Sequence, residues 1–534
     1  MKNNISRKDA LKRMGGLALG LPLAPSALSN ISFSGVKHAP NIMVPQKRIK
    51  GKPNVLWITT EGVPVSVLSC YGGRYSSFLQ TPNIDRIANE GMMFNNSFCN
   101  NALCAPSRAT LLTGKYNHLA GSASNGYNAD PSKPYAFFDP QQETFPKLLQ
   151  KAGYQTGMVG KWHMKKSRGE TANPGIAGFD YFSFKKGAGG PYYNPDGFIE
   201  NPSMGSKEMV HRSRPGYITD TFTDLAIKGM KQFKQPFFMM MDFFSDHRPF
   251  DPPHKYEHIF DDIHFPEPGT FYDNYKNRSS VARDAHMRIS DMKDFNPPED
   301  YTKKQLQQWN YQQLIRHFLG TLKSQDDNVG RLLDFLDESG LADNTIVVFT
   351  GDHGFFLGEH GWFDKRFMYE PSLRVPWMVR YPGVTNAGSK TDAWVQSIDN
   401  APTIMDMLGL PVPDDMQGRS LMPVFKENTP KDWPKSMYYH YYEEGPPHFV
   451  LPNYGVRTER YKLIYYYTVN QWELFDLKRD PDEMDSLFYE RGMKVKEGYE
   501  DILEDLLTQL KKLRKKFKDD TGKPVNFRPR KAYN

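Results

Sequence analysis

The chain has 534 residues, 39% hydrophobic and 24% charged, with 3 cysteines and a formal net charge of +7. That length corresponds to roughly three or four domain-equivalents, or fewer and larger ones, with ample apolar material for a core, which excludes a disordered chain. Cys70, Cys99 and Cys104 cannot all pair, so a disulfide-stapled scaffold is excluded and at least one thiol is left over.

Residues 1–30 carry Lys2, Arg7, Lys8, Lys12 and Arg13 against one acid, Asp9, ahead of the apolar, small-residue stretch GGLALGLPLAPSALS. This is the layout of an export signal with an Ala-Leu-Ser-like cleavage site, and Ser6-Arg7-Lys8 approaches a twin-arginine motif. The stretch is too short and too Pro-broken to span a bilayer, and no later segment nears about 18 uninterrupted apolar residues. The expected mature protein is periplasmic or secreted, without a membrane span. Removing five positive charges and one negative lowers the net charge from +7 to +3, so the basicity is mostly that of the leader. The remainder suits an anionic substrate and carries no nucleic-acid signature.

Residues 54–60, Asn-Val-Leu-Trp-Ile-Thr-Thr, read as a buried parallel strand, and residues 344–350 have the same form. Glu61 follows the first and Gly351-Asp352-His353-Gly354 the second. Ligand sites of open α/β sheets lie at the carboxyl ends of strands, so both clusters are placed to meet in one crevice. Helical patterns at 82–89, 144–152 and 303–338 separate the strands, and this alternation argues for one large α/β domain over residues 51–432. Beyond it, segments 454–467 and 471–477 read as aromatic antiparallel hairpins. An amphipathic helix follows over about 499–518, in which the run Lys511, Lys512, Arg514, Lys515, Lys516 and Lys518 reads as a solvated face. Residues 433–534 are expected to form a smaller α+β domain.

The most informative segment is Cys104-Ala105-Pro106-Ser107-Arg108-Ala109-Thr110-Leu111-Leu112-Thr113-Gly114. Pro106 suits the first turn of a helix and Gly114 its exit. Cys104 then sits at a helix N-terminus, where free N–H groups and the positive dipole end favour an anion, with Arg108 one turn further on. A buried thiol capping a helix fits the same residues. The segment resembles, at every fixed position, the C-x-P-S-R-x-x-x-L-T-G signature of the formylglycine-dependent (type I) sulfatases. The resemblance implies an alkaline-phosphatase-like sandwich, with a large mixed, mostly parallel sheet flanked by helices and a smaller C-terminal antiparallel sheet. It also implies oxidation of Cys104 to formylglycine by a maturation enzyme. The hydrated gem-diol is then the nucleophile: one oxygen attacks sulfur, and the other later expels sulfate by collapsing back to the aldehyde.

Further segments carry the same resemblance. Gly157-Met158-Val159-Gly160-Lys161-Trp162-His163 resembles the family's G-K-W-H segment, and strand period two places Lys161 and His163 on one face. The loop Asp246-His247-Arg248-Pro249-Phe250-Asp251-Pro252-Pro253 is similar to the family's His-x-Pro-x-x-x-Pro, which makes His247 the general acid. Gly351-Asp352-His353-Gly354 with Asp364-Lys365-Arg366 resembles D-[NH]-G…K, with Lys365 on the sulfate oxygens. The metal site implied is Glu61, Asp352, His353 and the matured Cys104, and the family implies Ca²⁺ ahead of Mg²⁺. Arg108, Lys161, Lys365 and the cation neutralise the non-bridging oxygens while charge builds on the bridging one.

One element departs from the pattern. The family ends its first strand in two adjacent aspartates, whereas this chain has Glu61-Gly62, with no other acid before Asp85. Glu61 is expected to reach the ion through its longer side chain. The change keeps open a sulfated-glycan binding protein without turnover, and the shared anion clamp keeps open a phosphonate or phosphate ester hydrolase. Tyr192-Tyr193-Asn194-Pro195 and segments 454–464 and 472–477 look most like carbohydrate sulfatases, especially N-acetylglucosamine-6-sulfatases. That implies a sulfated glycan of the glycosaminoglycan or mucin type as substrate, with His448, Asn453 and Arg457 lining its pocket. Cys70 and Cys99 are expected to be unpaired.

Overall fold

Strand β1, Asn54–Thr60, is buried along its whole length and feeds two cores by simple alternation. Leu56 and Ile58 enter one hydrophobic cluster, Val55 and Trp57 the other. The computed structural model describes residues 49, 51–126, 128–187, 189–489 and 492–524, so the export segment 1–30 lies outside the described residues.

Around β1 a ten-stranded sheet is built from Met92–Phe98 (β2), Gln155–Gly160 (β3), Tyr181–Lys185 (β4), Phe198–Glu200 (β5), Val210–Arg212 (β6), Phe237–Phe243 (β7), Thr345–Gly351 (β8), Trp377–Arg380 (β9) and Ser389–Gln396 (β10). Their order is β10-β2-β9-β8-β1-β7-β3-β4-β5-β6. The central run β8-β1-β7-β3-β4 is parallel throughout, as is β10 with β2. Antiparallel pairing enters only towards the edges. This is the mixed, mostly parallel sheet flanked by helices that the sequence predicts.

The Leu56/Ile58 face packs on Pro82–Asn89 (α1), Ile218–Gln232 (α4) and Lys303–Glu338 (α5). Cys104–Thr113 (α2), Phe145–Lys151 (α3) and Asn400–Met407 (α6) cover the Val55/Trp57 face. The 36-residue α5 starts at a capping box, in which Gln305 N–H donates to Thr302 Oγ1 and Thr302 N–H to Gln305 Oε1. Among the described residues no helix is long and apolar enough to cross a membrane. All three cysteines are free.

A four-stranded antiparallel sheet follows: Ser436–Tyr441 (β11), Asn453–Thr458 (β12), Tyr461–Tyr466 (β13) and Gln471–Asp476 (β14). The sequence reading does not contain β11. Its Met437, Tyr439 and Tyr441 belong to one cluster and Tyr438 to another, so both faces are buried and no polar alternation marks it. Helix Glu500–Lys516 (α7) packs on this sheet. Its basic run is not uniformly solvated: Arg514 is buried, lies over the Tyr454 ring at 4.1 Å and donates to Tyr438 Oη at 3.1 Å. An aromatic layer beneath the helix draws that one guanidinium inward.

Asp519, just past α7, is buried and accepts from Tyr438 Oη and His440 Nδ1, each at 2.7 Å. Burial pushes its carboxyl up, but His440 and these hydrogen bonds outweigh that and hold it below the usual range. The stability it contributes is present above the unfolded-state value of about 4 and is lost as pH falls through the folded value. Asp519→Asn is therefore expected to cost about 2 kcal/mol at neutral pH, with the gap closing in acid below about pH 4. Urea unfolding at a series of pH values checks this.

Candidate active site

Continuing the alternation of β1, Glu61 falls on the face of Trp57 and Thr59, towards the start of α2. Its N–H bonds Phe243 O at 3.1 Å and extends the ladder by one residue. Asp352 emerges from the neighbouring strand β8, and its N–H bonds Thr60 O at 3.1 Å. Gly62 closes the turn at φ 65, a left-handed conformation, and donates to Asp352 Oδ1 at 3.1 Å. The two strand ends thus meet in one crevice.

Helix α2 brings Cys104 into that crevice from the opposite side. Gly114, in the left-handed conformation, ends the helix by donating to Thr110 O at 2.8 Å. Cys104 has no exposed surface, and its Sγ donates to Glu61 Oε1 at 2.7 Å. Arg108, one turn on, is clamped by three carboxylates: Asp242 at 2.9 Å, Asp352 at 3.2 Å and Glu61 at 3.3 Å. Lys161 Nζ lies 2.8 Å and Lys365 Nζ 3.6 Å from Glu61 Oε1. Burial and Glu61 push the Cys104 thiol up; Lys161, Lys365 and the neighbouring His163 overcome them, leaving it well below the usual thiol range.

Lys161 and His163 reach this cluster by a route that differs from the expected strand. Strand β3 stops at Gly160, which has φ 119 and where a Cβ would come within 2.0 Å of Asp242 O. His163 itself has φ 55. The chain turns there because β7 passes too close for an extended side-chain-bearing residue. Burial lowers the His163 imidazole to about 4, so it meets Cys104 as a neutral ring.

His247 approaches from the end of β7. Tyr192 Oη donates to His247 O at 2.6 Å and to Arg248 O at 3.0 Å, fixing the loop. Arg248 makes a bidentate pair with Asp294 at 2.6 Å for both contacts. His247 Nδ1 faces a carbonyl that can only accept, Arg248 O at 3.2 Å, so Nε2 is the atom presented to Glu61 at 4.0 Å. The His247 side chain is 19% exposed against 3% or less for those of Glu61, Arg108, Lys161 and Lys365, and so marks the open side of the crevice.

Glu61, Cys104, Asp352 and His353 each place one ligand-type atom within 4.8 Å of the others, all buried. His353 Nδ1 lies 2.8 Å from Gly354 O, which leaves Nε2 facing the carboxylates without a hydrogen-bond partner. Burial opposes charge on this ring, yet Asp352 raises it to about 10, and burial and then Glu61 raise the Asp352 carboxyl in turn. Two carboxylates and an imidazole that answer one another's charge in this way fit a divalent cation.

The substrate-side residues separate. His448 Nε2 is 2.7 Å from Asp364 Oδ2, next to Lys365. Asp364 and Arg366 flank Lys365 at φ 78 and 96 and pair at 2.9 Å. These left-handed conformations cost about 1–3 kcal/mol each, and the ribbon Phe356–Leu357 with Phe363–Asp364 holds the segment in place. Asn453 donates to Leu451 O at 3.0 Å within its own strand end. Arg457 pairs with Glu370 and lies over the Phe98 and Trp394 rings at 4.7 Å, outside the cluster around Cys104. Four members of the crevice were not foreseen: Asp242, Asp364, Arg366 and Glu443. Asp242 left a signal, one carboxylate inside the apolar run Phe237–Phe243.

Comparison with known proteins gives the arrangement a context. The sulfatase family model matches residues 53–410, and a model described as N-sulphoglucosamine sulphohydrolase, C-terminal, matches 358–516. An N-acetylglucosamine-6-O-sulfatase of Bacteroides thetaiotaomicron is 39% identical, the alignment covering 89% of this chain and 88% of that protein. A solved structure described as a complex with its substrate D-glucosamine-2-N,6-O-disulfate is 38% identical, covers 88% of this chain and 99% of its own, and superposes with a TM-score of 0.77. The phosphonate monoester hydrolase of Agrobacterium radiobacter, 21% identical over 87% of this chain and 96% of its own, shares the fold at a TM-score of 0.65. With the family model covering most of the chain and a characterised sulfatase aligned along nearly all of it, the protein belongs to the sulfatase family of sulfuric ester hydrolases.

Proposed function

We propose that the protein removes sulfate from a hexosamine-containing glycan, with N-acetylglucosamine 6-sulfate as the first candidate. The observation that carries this reading is the fully buried Cys104 at a helix N-terminus, ringed by Arg108, Lys161 and Lys365 beside the Glu61–Asp352–His353 group. The relatives described as N-acetylglucosamine-6-sulfatases support the choice of sugar.

In this proposal Cys104 matures to formylglycine through a dedicated oxidising enzyme, and its hydrate attacks sulfur. Lys161 and Lys365 bind non-bridging sulfate oxygens, and Arg108 fixes the start of α2. Neutral His163 hydrogen-bonds the nucleophile. With Nδ1–H held by Arg248 O, His247 on the open side acts as the imidazolium, a form that the anionic sulfate favours against the burial that lowers this ring, and gives its Nε2 proton to the departing sugar oxygen so that the alcohol leaves neutral. Glu61, Asp352, His353 and the matured Cys104 would hold Ca²⁺, which would supply further positive charge to the sulfate. Residues 51–432 carry the chemistry, and the 433–534 part lends His448 to the sugar side. The leader directs the chain to the periplasm or outside the cell.

The test is sulfate release from a panel of sulfated mono- and disaccharides, with maturation at residue 104 confirmed by peptide mass spectrometry. N-acetylglucosamine 6-sulfate is expected to be turned over at least about 100-fold faster than a phosphonate monoester, a difference of about 2.7 kcal/mol in barrier. Faster phosphonate turnover, or sulfate binding with no release, overturns the reading.

A further inference from the structure

Beyond the nucleophile helix, Ala123, Ser124, Asn128, Ala129 and Asp130 line a second cavity of about 430 Å³. Asn125 Oδ1 accepts the N–H of Ala105, the residue after Cys104, at 3.1 Å. Ser124, one residue back, lines the cavity. A second wall is shared in the same manner. Glu443 turns to Arg366 at 3.9 Å, beside Lys365, while Tyr442 and Glu444 on either side of it line the cavity. On each wall the residues that line the cavity are next in sequence to residues that touch the crevice.

The chemistry of the cavity differs from that of the crevice. Tyr135 and Tyr442 present rings 5.6 Å apart and tilted by 46°, and Tyr442 is pinned by stacking on His440 at 3.7 Å. Thr468 Oγ1, also on the lining, is buried without a hydrogen-bond partner. The lining charges are Asp130 and Glu444 against Lys133 and Lys523, two of each sign. A second sulfated or carboxylated sugar would call for an excess of cations, which this lining lacks. Electron-rich ring faces with a balanced polar rim instead suit the C–H face and hydroxyls of an uncharged pyranose.

We propose that this cavity is a second sugar subsite, holding a neutral pyranose linked to the sulfated sugar. The inference rests on the glycan reading above and adds that the enzyme selects a chain over a monosaccharide. Sulfate release is measured with N-acetylglucosamine 6-sulfate alone and with the same sugar linked to unsulfated galactose. The wild type is expected to favour the disaccharide at least tenfold in kcat/KM, mostly through KM. Tyr135→Ala removes that advantage and leaves the monosaccharide rate within twofold, whereas Tyr135→Phe keeps it, because the ring face and not the hydroxyl makes the contact. In parallel, ligand-observed NMR with the unsulfated disaccharide shows contact with wild type and none with Tyr135→Ala. Equal kcat/KM on both sugars, or a disaccharide preference that survives Tyr135→Ala, overturns the subsite. If neither sugar releases sulfate, the glycan-sulfatase reading fails, and presence or absence of the NMR contact decides the cavity independently.

Discussion

Cys104→Ala is expected to lower sulfate release by about 10⁴-fold or more while leaving substrate affinity within about tenfold. The asymmetry follows from what the side chain touches. Its Sγ meets Glu61 and His163, whereas Lys161 and Lys365, the cations that face an incoming sulfate, are held by Glu61 and Asp364 and keep those partners in the variant. Binding energy survives because the clamp survives. The chemical step is lost because the hydroxyl in the first turn of this helix, Ser107 Oγ, is engaged with Asp352 O and the Lys161 amine with Glu61. Single-turnover sulfate release, together with isothermal titration of substrate, separates the two effects. A variant that retained more than one part in about 100 of the wild-type rate would place the nucleophile elsewhere.

Glu61→Ala carries the second large effect: a fall in bound divalent metal to below about a tenth of wild type and in kcat by about 10³-fold. One carboxylate here does several jobs. Glu61 bonds Cys104, Lys161 and Arg108 and lies 3.5 Å from His353 Nε2. Losing it leaves Lys161, with no exposed side-chain surface, facing other cations without its acid, and a buried unpaired charge costs several kcal/mol. Plasma emission spectrometry for metal and a melting curve check both consequences. Glu61→Asp restores part of each, since the charge stays on a shorter arm. Gly62→Asp is not expected to supply the family's second acid. Its φ is 65, and a Cβ there meets His353 Cε1 at 3.3 Å, so the added side chain strains the imidazole it should assist.

Which features were legible in the sequence follows from how locally each is encoded. Asn54–Thr60 and Thr345–Gly351 are apolar runs buried on both faces, and helix Cys104–Thr113 carries its own start and stop signals, so all three stand out in one dimension. The Cys104, Lys161, His247 and Lys365 segments are short motifs whose meeting was predictable once the strand ends were placed together. What the sequence hid depends on distance. Strand Ser436–Tyr441 has no polar face because it is sandwiched between two clusters, a fact set by α7 more than 50 residues later. The turn after Gly160 is imposed by Asp242 O on a neighbouring strand. Asp364 and Arg366 adopt left-handed conformations that nothing in Asp-Lys-Arg announces. Arg457 looked available for substrate because its acid, Glu370, lies 87 residues away.

The end of α7 reaches back to the first third of the chain. Phe517 O accepts from His118 Nε2 at 2.9 Å and from Gln417 Nε2 at 2.5 Å, and Gln417 Oε1 in turn holds Tyr116 N–H just beyond the nucleophile helix. These bonds cannot form until residue 517 has been made, since chains are synthesised from the N-terminus and their domains fold as completed units. A thiol with no exposed surface is beyond the reach of any second enzyme once folding is complete. On the maturation proposed above, the oxidase must therefore reach the Cys104 segment before the fold closes over it.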